Sequence, residues 1–327
     1  MDEKILYVRG KLESFPKVSL SIVPTPCHRL RFLSGRYGVE VYCKRDDMSG
    51  FGFGGNKSRK LEFLVGEALH HRCDTLVTCG GIQSNFCRLT AAVGAACDLS
   101  VHLVLGGDRP QKSTGNVLLD EMLGAEMHHV DSPDWNEWER QADRITEELE
   151  ARGRKVFRMP VGGSVPVGVA GYTAAFLEIL MDQARLGIEF DLIVHATGSG
   201  GTQAGLVVGK ELTAWPGRIM GVSVAMERHA MEEKIADLAV ETASLFGGRV
   251  RRDSIEVDDR HIGPGYAVKT AQGEKAVTLF ARREGVFLDY VYTGKAAGAL
   301  LDWLERGLLG RQKVLFLHTG GAPELFA

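Results

Sequence analysis

Short aliphatic and β-branched runs alternate with longer stretches of helical periodicity along this chain. The runs are Asp74 to Thr78, Val101 to Leu105, Met127 to Val130, Val156 to Met159, Asp191 to Ala196, Ile219 to Val224 and Lys313 to His318. Between them, apolar residues return at three- and four-residue spacing, as in Leu61, Leu64, Val65, Ala68 and Leu69. This alternation predicts an α/β fold with mainly parallel strands and helices on both faces, in which ligands sit at the carboxyl ends of the strands.

Glycine turns fall at those ends. Gly80-Gly81, Gly162-Gly163-Ser164, Gly198-Ser199-Gly200-Gly201-Thr202 and Gly320-Gly321 each follow a predicted strand, which suggests one extended cleft. No repeat, low-complexity tract or polar linker marks a domain boundary. Hinges are expected at Phe51 to Gly55 and at Val161 to Ser164, where glycine turns join strongly patterned segments.

With 327 residues, 44% of them hydrophobic, the chain can fill the cores of two domains. A net charge of −3, with acidic and basic residues mixed, gives no electrostatic case for nucleic acid. Charges interrupt every apolar run before it reaches bilayer-spanning length, and Met1-Asp2-Glu3-Lys4 lacks the apolar core of a signal peptide. A cytoplasmic protein without membrane contact is expected. The six cysteines, Cys27, Cys43, Cys73, Cys79, Cys87 and Cys97, form no C-x-x-C pair, which argues against a zinc site or a disulfide scaffold. They read as small buried residues, with Cys79 or Cys87 near enough to a glycine loop to touch a ligand.

The chemistry centres on Gly54-Gly55-Asn56-Lys57-Ser58-Arg59-Lys60, which sets a lysine on a glycine turn where a helix begins. The positive end of that helix, with Arg59 and Lys60 nearby, disfavours the Lys57 proton. A neutral amine is a nucleophile that forms a Schiff base with a carbonyl partner, although a surface lysine in a basic helix start fits the same residues. Thr197 to Thr202 reads as a strand-to-helix loop whose N–H groups and hydroxyls (Thr197, Ser199, Thr202) can surround a phosphate; a tight turn with no ligand is the alternative. Neither segment supplies a Walker loop, and Gln203 breaks the dinucleotide fingerprint, so a single monophosphate fits best. Ser84 and Asn85 stand at a helix start, where ordinary capping and binding of a carboxylate can coexist. Tyr266 and Tyr292 lie beside glycine bends; each is a core residue unless its phenol converges on Lys57.

Together, Gly54 to Glu62, Gly80-Gly81-Ile82-Gln83-Ser84-Asn85, the loop at 198 to 202, Val291-Tyr292-Thr293-Gly294-Lys295 and His318-Thr319-Gly320-Gly321-Ala322-Pro323 resemble the D-cysteine desulfhydrase and 1-aminocyclopropane-1-carboxylate deaminase family. The match runs in order from about Pro24 to Phe326. The resemblance implies a tryptophan-synthase-β-like fold of two open, mainly parallel twisted sheets flanked by helices, pyridoxal 5'-phosphate as cofactor, no metal, and a homodimer. It implies a large domain of residues 1–50 and 162–327, with a small one, 51–161, inserted into it. Lys57 would bind the cofactor as a Schiff base. Asn56, Asn85, Thr319 and the loop Thr197, Gly198, Ser199, Gly200, Gly201 and Thr202 would hold the cofactor, Asn85 at its 3-hydroxyl and Thr319 facing its pyridine nitrogen. Gln83, Ser84 and Asn85 would bind an amino-acid substrate opposite Tyr266, Tyr292 and Thr293, with Lys57, Ser84 and the two tyrosines available for proton transfer.

Within the family, deaminases of the cyclopropane acid resemble each other in a glutamate after the second tyrosine and a leucine after the final histidine. This chain has Thr293 and Thr319 there, which favours a lyase that eliminates a β-substituent, D-cysteine being the expected substrate. L-cysteate sulfo-lyase and racemase are the near alternatives and the deaminase a further one. Val165-Pro166 departs from the asparagine that desulfhydrases often carry after this Gly-Ser pair. A binding protein that holds pyridoxal phosphate or another phosphorylated metabolite without catalysis is the reading from another class, and a dehydrogenase is the weaker enzyme alternative.

Overall fold

The computed structural model describes residues 3–327. Its strands are β1 (Cys27–Arg29), β2 (Glu40–Arg45), β3 (Thr75–Gly81), β4 (Ser100–Gly106), β5 (Glu126–Val130), β6 (Val156–Arg158), β7 (Leu192–Thr197), β8 (Arg218–Ser223), β9 (Glu256–Asp258) and β10 (Lys313–His318). Its α-helices are α1 (Glu3–Glu13), α2 (Arg31–Tyr37), α3 (Asn56–His70), α4 (Asn85–Cys97), α5 (Gly115–Met122), α6 (Trp135–Ala151), α7 (Pro166–Leu186), α8 (Gly201–Thr213), α9 (Arg228–Leu245), α10 (Ala271–Glu284) and α11 (Thr293–Glu305).

The strands form two open sheets. The larger has the order β1-β2-β10-β7-β8-β9, and the smaller β5-β4-β3-β6. Every pairing is parallel except β1 with β2. Parallel strands flanked by helices are buried on both faces, and β7 is buried at every position. In β10 the alternation sends Leu315 and Leu317 into the core built with Val169, Phe176 and Leu206 of α7 and α8. Val314 and Phe316 go to the opposite core with Phe280 and Leu300 of α10 and α11. In the smaller sheet, Leu103 and Leu105 pack with Leu61 and Leu64 of α3 and Leu89 of α4. Val104 faces Trp138, Ala142 and Ile145 of α6.

All seven expected strands form, within a few residues of their expected limits. Three others, β1, β2 and β9, were not expected. Two of these have three residues, and β2 reads Glu-Val-Tyr-Cys-Lys-Arg, whose charges mask a central strand. Lys44 is nonetheless buried. Its ammonium donates to the Thr25 carbonyl at 2.7 Å and meets Glu178 at 2.5 Å and Asp182 at 2.6 Å on α7.

That lysine belongs to a buried ionic cluster. Arg59 of α3 donates from Nε and Nη2 to both Asp46 oxygens at 2.9 and 2.8 Å, and from Nη1 to Glu178 at 3.0 Å. The Tyr172 hydroxyl donates to Asp46 at 2.5 Å. Burial alone would raise the Asp46 carboxyl, but Arg59, Tyr172 and Lys44 together hold it below its ordinary value. Removing one partner strands the others' charges in a dry interior. Arg59→Met is therefore expected to lower stability by about 3–5 kcal/mol, read as a lower urea midpoint at constant slope.

Candidate active site

Lys57 is the second residue of α3, a helix with no side-chain cap. Its first turn is closed by backbone instead: Asn56 N–H donates to the Thr319 carbonyl at 2.9 Å, and Gly55 N–H to the Asp46 carbonyl at 2.9 Å. The approach is close enough that a Cβ on Gly320 would lie 2.7 Å from Gly55 Cα, and Gly55 and Gly320 have φ of 115° and 95°. Glycine is required on both sides of this seam. It brings the carboxyl end of β10 against the helix start and turns Lys57 into a cavity.

The Lys57 ammonium donates to Asn56 Oδ1 at 3.1 Å and lies 5.9 Å from the centre of the Tyr292 ring. Burial pushes its pKa down to about 8; Asp289 opposes this and Arg88 adds to it. The neighbours expected to depress it act differently. Arg59 is turned away into the ionic cluster, and the cation that bears on Lys57 is Arg88 of α4, whose Nη2 donates to the Gly54 carbonyl at 3.0 Å.

Lys60, one helical turn on, was not singled out as a site residue in the sequence. It is fully buried, with its ammonium donating to the Gly162 carbonyl at 2.8 Å and to Ser164 Oγ at 3.1 Å. Among the described residues no carboxylate pairs with it, and burial, with Lys57 beside it, depresses its pKa strongly. A Cβ on Gly201 would lie 2.3 Å from Lys60 Nζ, so the lysine sits directly against the start of α8. There Thr202 Oγ1 accepts from Asn56 Nδ2 at 2.9 Å, and Ser199 Oγ accepts from Ser164 at 2.8 Å. Free helix N–H groups, hydroxyls and a buried ammonium lacking an anion together suit a phosphate monoester.

Ser84 caps α4, accepting from Cys87 N–H at 3.2 Å, and Asn116 Nδ2 fixes the Asn85 amide by donating to its Oδ1 at 3.1 Å. Across the cavity the Tyr266 and Tyr292 hydroxyls meet at 2.5 Å. Burial pushes Tyr266 up to about 12 and Tyr292 further, so both are neutral phenols. Lys57, Ser84, Asn85, both tyrosines, Thr197 to Gly200, Thr202 and Thr319 line one cavity, and among the described residues no carboxylate lines it.

Two expected substrate contacts lie elsewhere. Thr293 is buried outside the cavity, its hydroxyl donating to Asp289 at 2.5 Å. Asp289 also accepts from the N–H groups of Val291, Tyr292 and Thr293, so that threonine serves the start of α11. The Gln83 side chain is engaged by Asn116 N–H at 2.7 Å and the Thr114 carbonyl at 3.2 Å, and borders only an outer cavity of ≈ 490 Å³. Trp135 and Trp138 line both cavities and were missed, as was Lys60. Their signal was available: an aromatic pair opening a helix, behind the capping Asp134, at the carboxyl end of a predicted strand.

An α/β fold with a low-pKa lysine set against an anion-binding helix start defines an enzyme that captures a phosphorylated carbonyl compound. Residues 18–320 match the family described as pyridoxal-phosphate dependent enzymes, and the chain belongs to it. It is 40% identical, over 98% of its own length and 96% of the relative's, to a Pyrococcus furiosus protein provisionally named 1-aminocyclopropane-1-carboxylate deaminase. It is 38% identical to D-cysteine desulfhydrase of Yersinia pestis, over 98% of both chains. A crystal structure of a homologue of the deaminase superposes with a TM-score of 0.92 at 38% identity, covering 100% of this chain and 97% of the other.

Two outcomes follow. Pyridoxal phosphate added to cofactor-free protein should produce imine absorbance at a rate that rises with pH through about 8, as Lys57 loses its proton, and Lys57→Ala should produce none. Lys60→Gln should still form the imine but weaken the cofactor's affinity ~10–100-fold, the value of one hydrogen bond to a charged group.

Proposed function

We propose that this enzyme is a carbon-sulfur lyase that removes the β-substituent of a small amino acid, converting D-cysteine and water to pyruvate, sulfide and ammonia. The observation that carries the reading is that, among the described residues, no carboxylate lines the lysine cavity, and the residue that follows the last strand is the neutral Thr319. An acid beside the pyridine nitrogen deepens the electron sink, and elimination of a good leaving group needs less of it. The cyclopropane acid has no such leaving group. Relatives under both names are about equally similar, and Thr293, where the deaminases carry a glutamate, supports the lyase.

Pyridoxal phosphate, when bound, supplies the electron sink for loss of the α-proton. The protein's part is assigned as follows. Lys60, Ser199, Thr202 and the N–H groups at Gly200 and Gly201 would hold the phosphate, and Asn56, Asn85 and Thr319 would hold the ring. Ser84 Oγ and the start of α4 hold the substrate carboxylate. The Lys57 amine would take the α-proton. Of the hydrogen-bonded Tyr266 and Tyr292 phenols, the one whose O–H the pair leaves free would donate to the departing thiolate. Trp135 and Trp138 exclude water on the substrate side. The smaller sheet, with residues 51–161, is taken as a domain inserted into one made of 1–50 and 162–327. A cytoplasmic homodimer is the expected form; among the described residues no helix is long and apolar enough to cross a membrane.

Pyruvate and sulfide released together from D-cysteine test the assignment. Turnover of L-cysteate alone, 2-oxobutyrate from the cyclopropane acid alone, or an inverted enantiomer with no keto acid would each replace it. Imine absorbance without turnover of any amino acid would leave a binding protein. Tyr292→Phe should lower kcat by ~10²–10⁴-fold, the usual worth of a positioned acid, with a smaller change in KM.

A further inference from the structure

Strand register gathers three metal-ligating side chains on one face of the smaller sheet, outside both cavities. His102 of β4 stands opposite Glu126 of β5, and His128 follows two residues later, so the pleat sends all three to the same side. His102 Nδ1 lies 3.2 Å from His128 Nε2. The Glu126 carboxylate straddles the pair, with Oε2 3.5 Å from His102 and Oε1 3.5 Å from His128. The two rings stack at 5.4 Å with 16° between their planes.

These are the separations that a tetrahedral metal ion imposes: ligand atoms bonded at about 2.0–2.1 Å lie about 3.3 Å apart. We propose that His102, Glu126 and His128 bind one divalent transition-metal ion of the zinc type, with its fourth position left to water. Two nitrogen donors and one oxygen favour zinc, cobalt or nickel over magnesium and calcium, which prefer all-oxygen sites. Among the described residues no other group of three or more histidine, cysteine, aspartate or glutamate side chains gathers in this way.

The surroundings bear on the ion in both directions. Arg154 and Arg152 add positive charge beside His102. The same arginines oppose a cation, and the Glu126 carboxylate offsets them. Because β5 is an edge strand, a bound ion would fasten it to β4.

The test is calorimetric titration of the cofactor-loaded protein with Zn2+, and with Co2+, whose visible bands report four-coordinate geometry. One ion per chain is expected, with affinity reduced more than about 10-fold in His102→Ala and in His128→Ala, since even outer partners of a metal site are worth that much. Glu126→Gln, an exposed position, covers the case in which a histidine variant fails to fold, and should also weaken binding. The pyridoxal imine absorbance should be the same in all three. The proposal is overturned if wild type binds no Zn2+ at millimolar concentration. Binding that persists in the folded variants but is lost in His71→Ala, at the exposed His71–Glu67 pair, also overturns it.

Discussion

The buried ion cluster around Arg59 is the constraint on which the rest of the site depends. Arg59 lies two residues after Lys57 on the same first turn, and its guanidinium is held by Asp46 after β2 and Glu178 on α7. A helix clamped there has little freedom to rotate, so the face that carries Lys57 and Lys60 is fixed toward the start of α8. The clamp also explains the burial of Lys44, which neutralises the remaining charge of Glu178 and Asp182. Burying these charges gives little stability compared with apolar residues of the same volume; its return here is orientation.

The site contrasts two lysines a turn apart. Neither has a carboxylate partner in the cavity, and burial drives both toward the neutral amine, which is an unusual use of two basic residues. Lys60 donates to the Gly162 carbonyl and the Ser164 hydroxyl beside the start of α8, with no anion to meet it among the described residues. Lys57 faces open cavity and two neutral phenols. A phosphate bound near Lys60 would restore that ammonium and leave Lys57 as the free nucleophile, so cofactor binding itself separates the roles of the two amines.

Much of this was legible in the sequence, and the gaps have physical reasons. Lys57, the glycine loop before α8 and seven strands announce themselves because each is local: a turn, a period, a run. Thr293 was misplaced because a helix-start threonine beside an active tyrosine has two directions to face, and Asp289 claims its hydroxyl. Arg59 and Lys60 read alike in sequence, yet a single residue step, about 100° of helix, sends the first into a salt bridge and the second against the glycine loop before α8. Arg88, Trp135 and Trp138 reach the site from other segments, so only the tertiary arrangement shows them. β2 is hidden because partners more than a hundred residues away neutralise its lysine. The histidine pair of β4 and β5 depends on strand register, which no spacing rule carries.

The seam between Gly55 and Gly320 also bears on how the molecule comes into being. β10 lies between β2 and β7 in the middle of the larger sheet, so that sheet has a vacant centre until residues 313–318 have left the ribosome. Until then the first turn of α3 has no Thr319 carbonyl to meet. The burial that lowers the Lys57 pKa therefore depends on a seam closed by nearly the last residues of the chain, and not on its own helix alone.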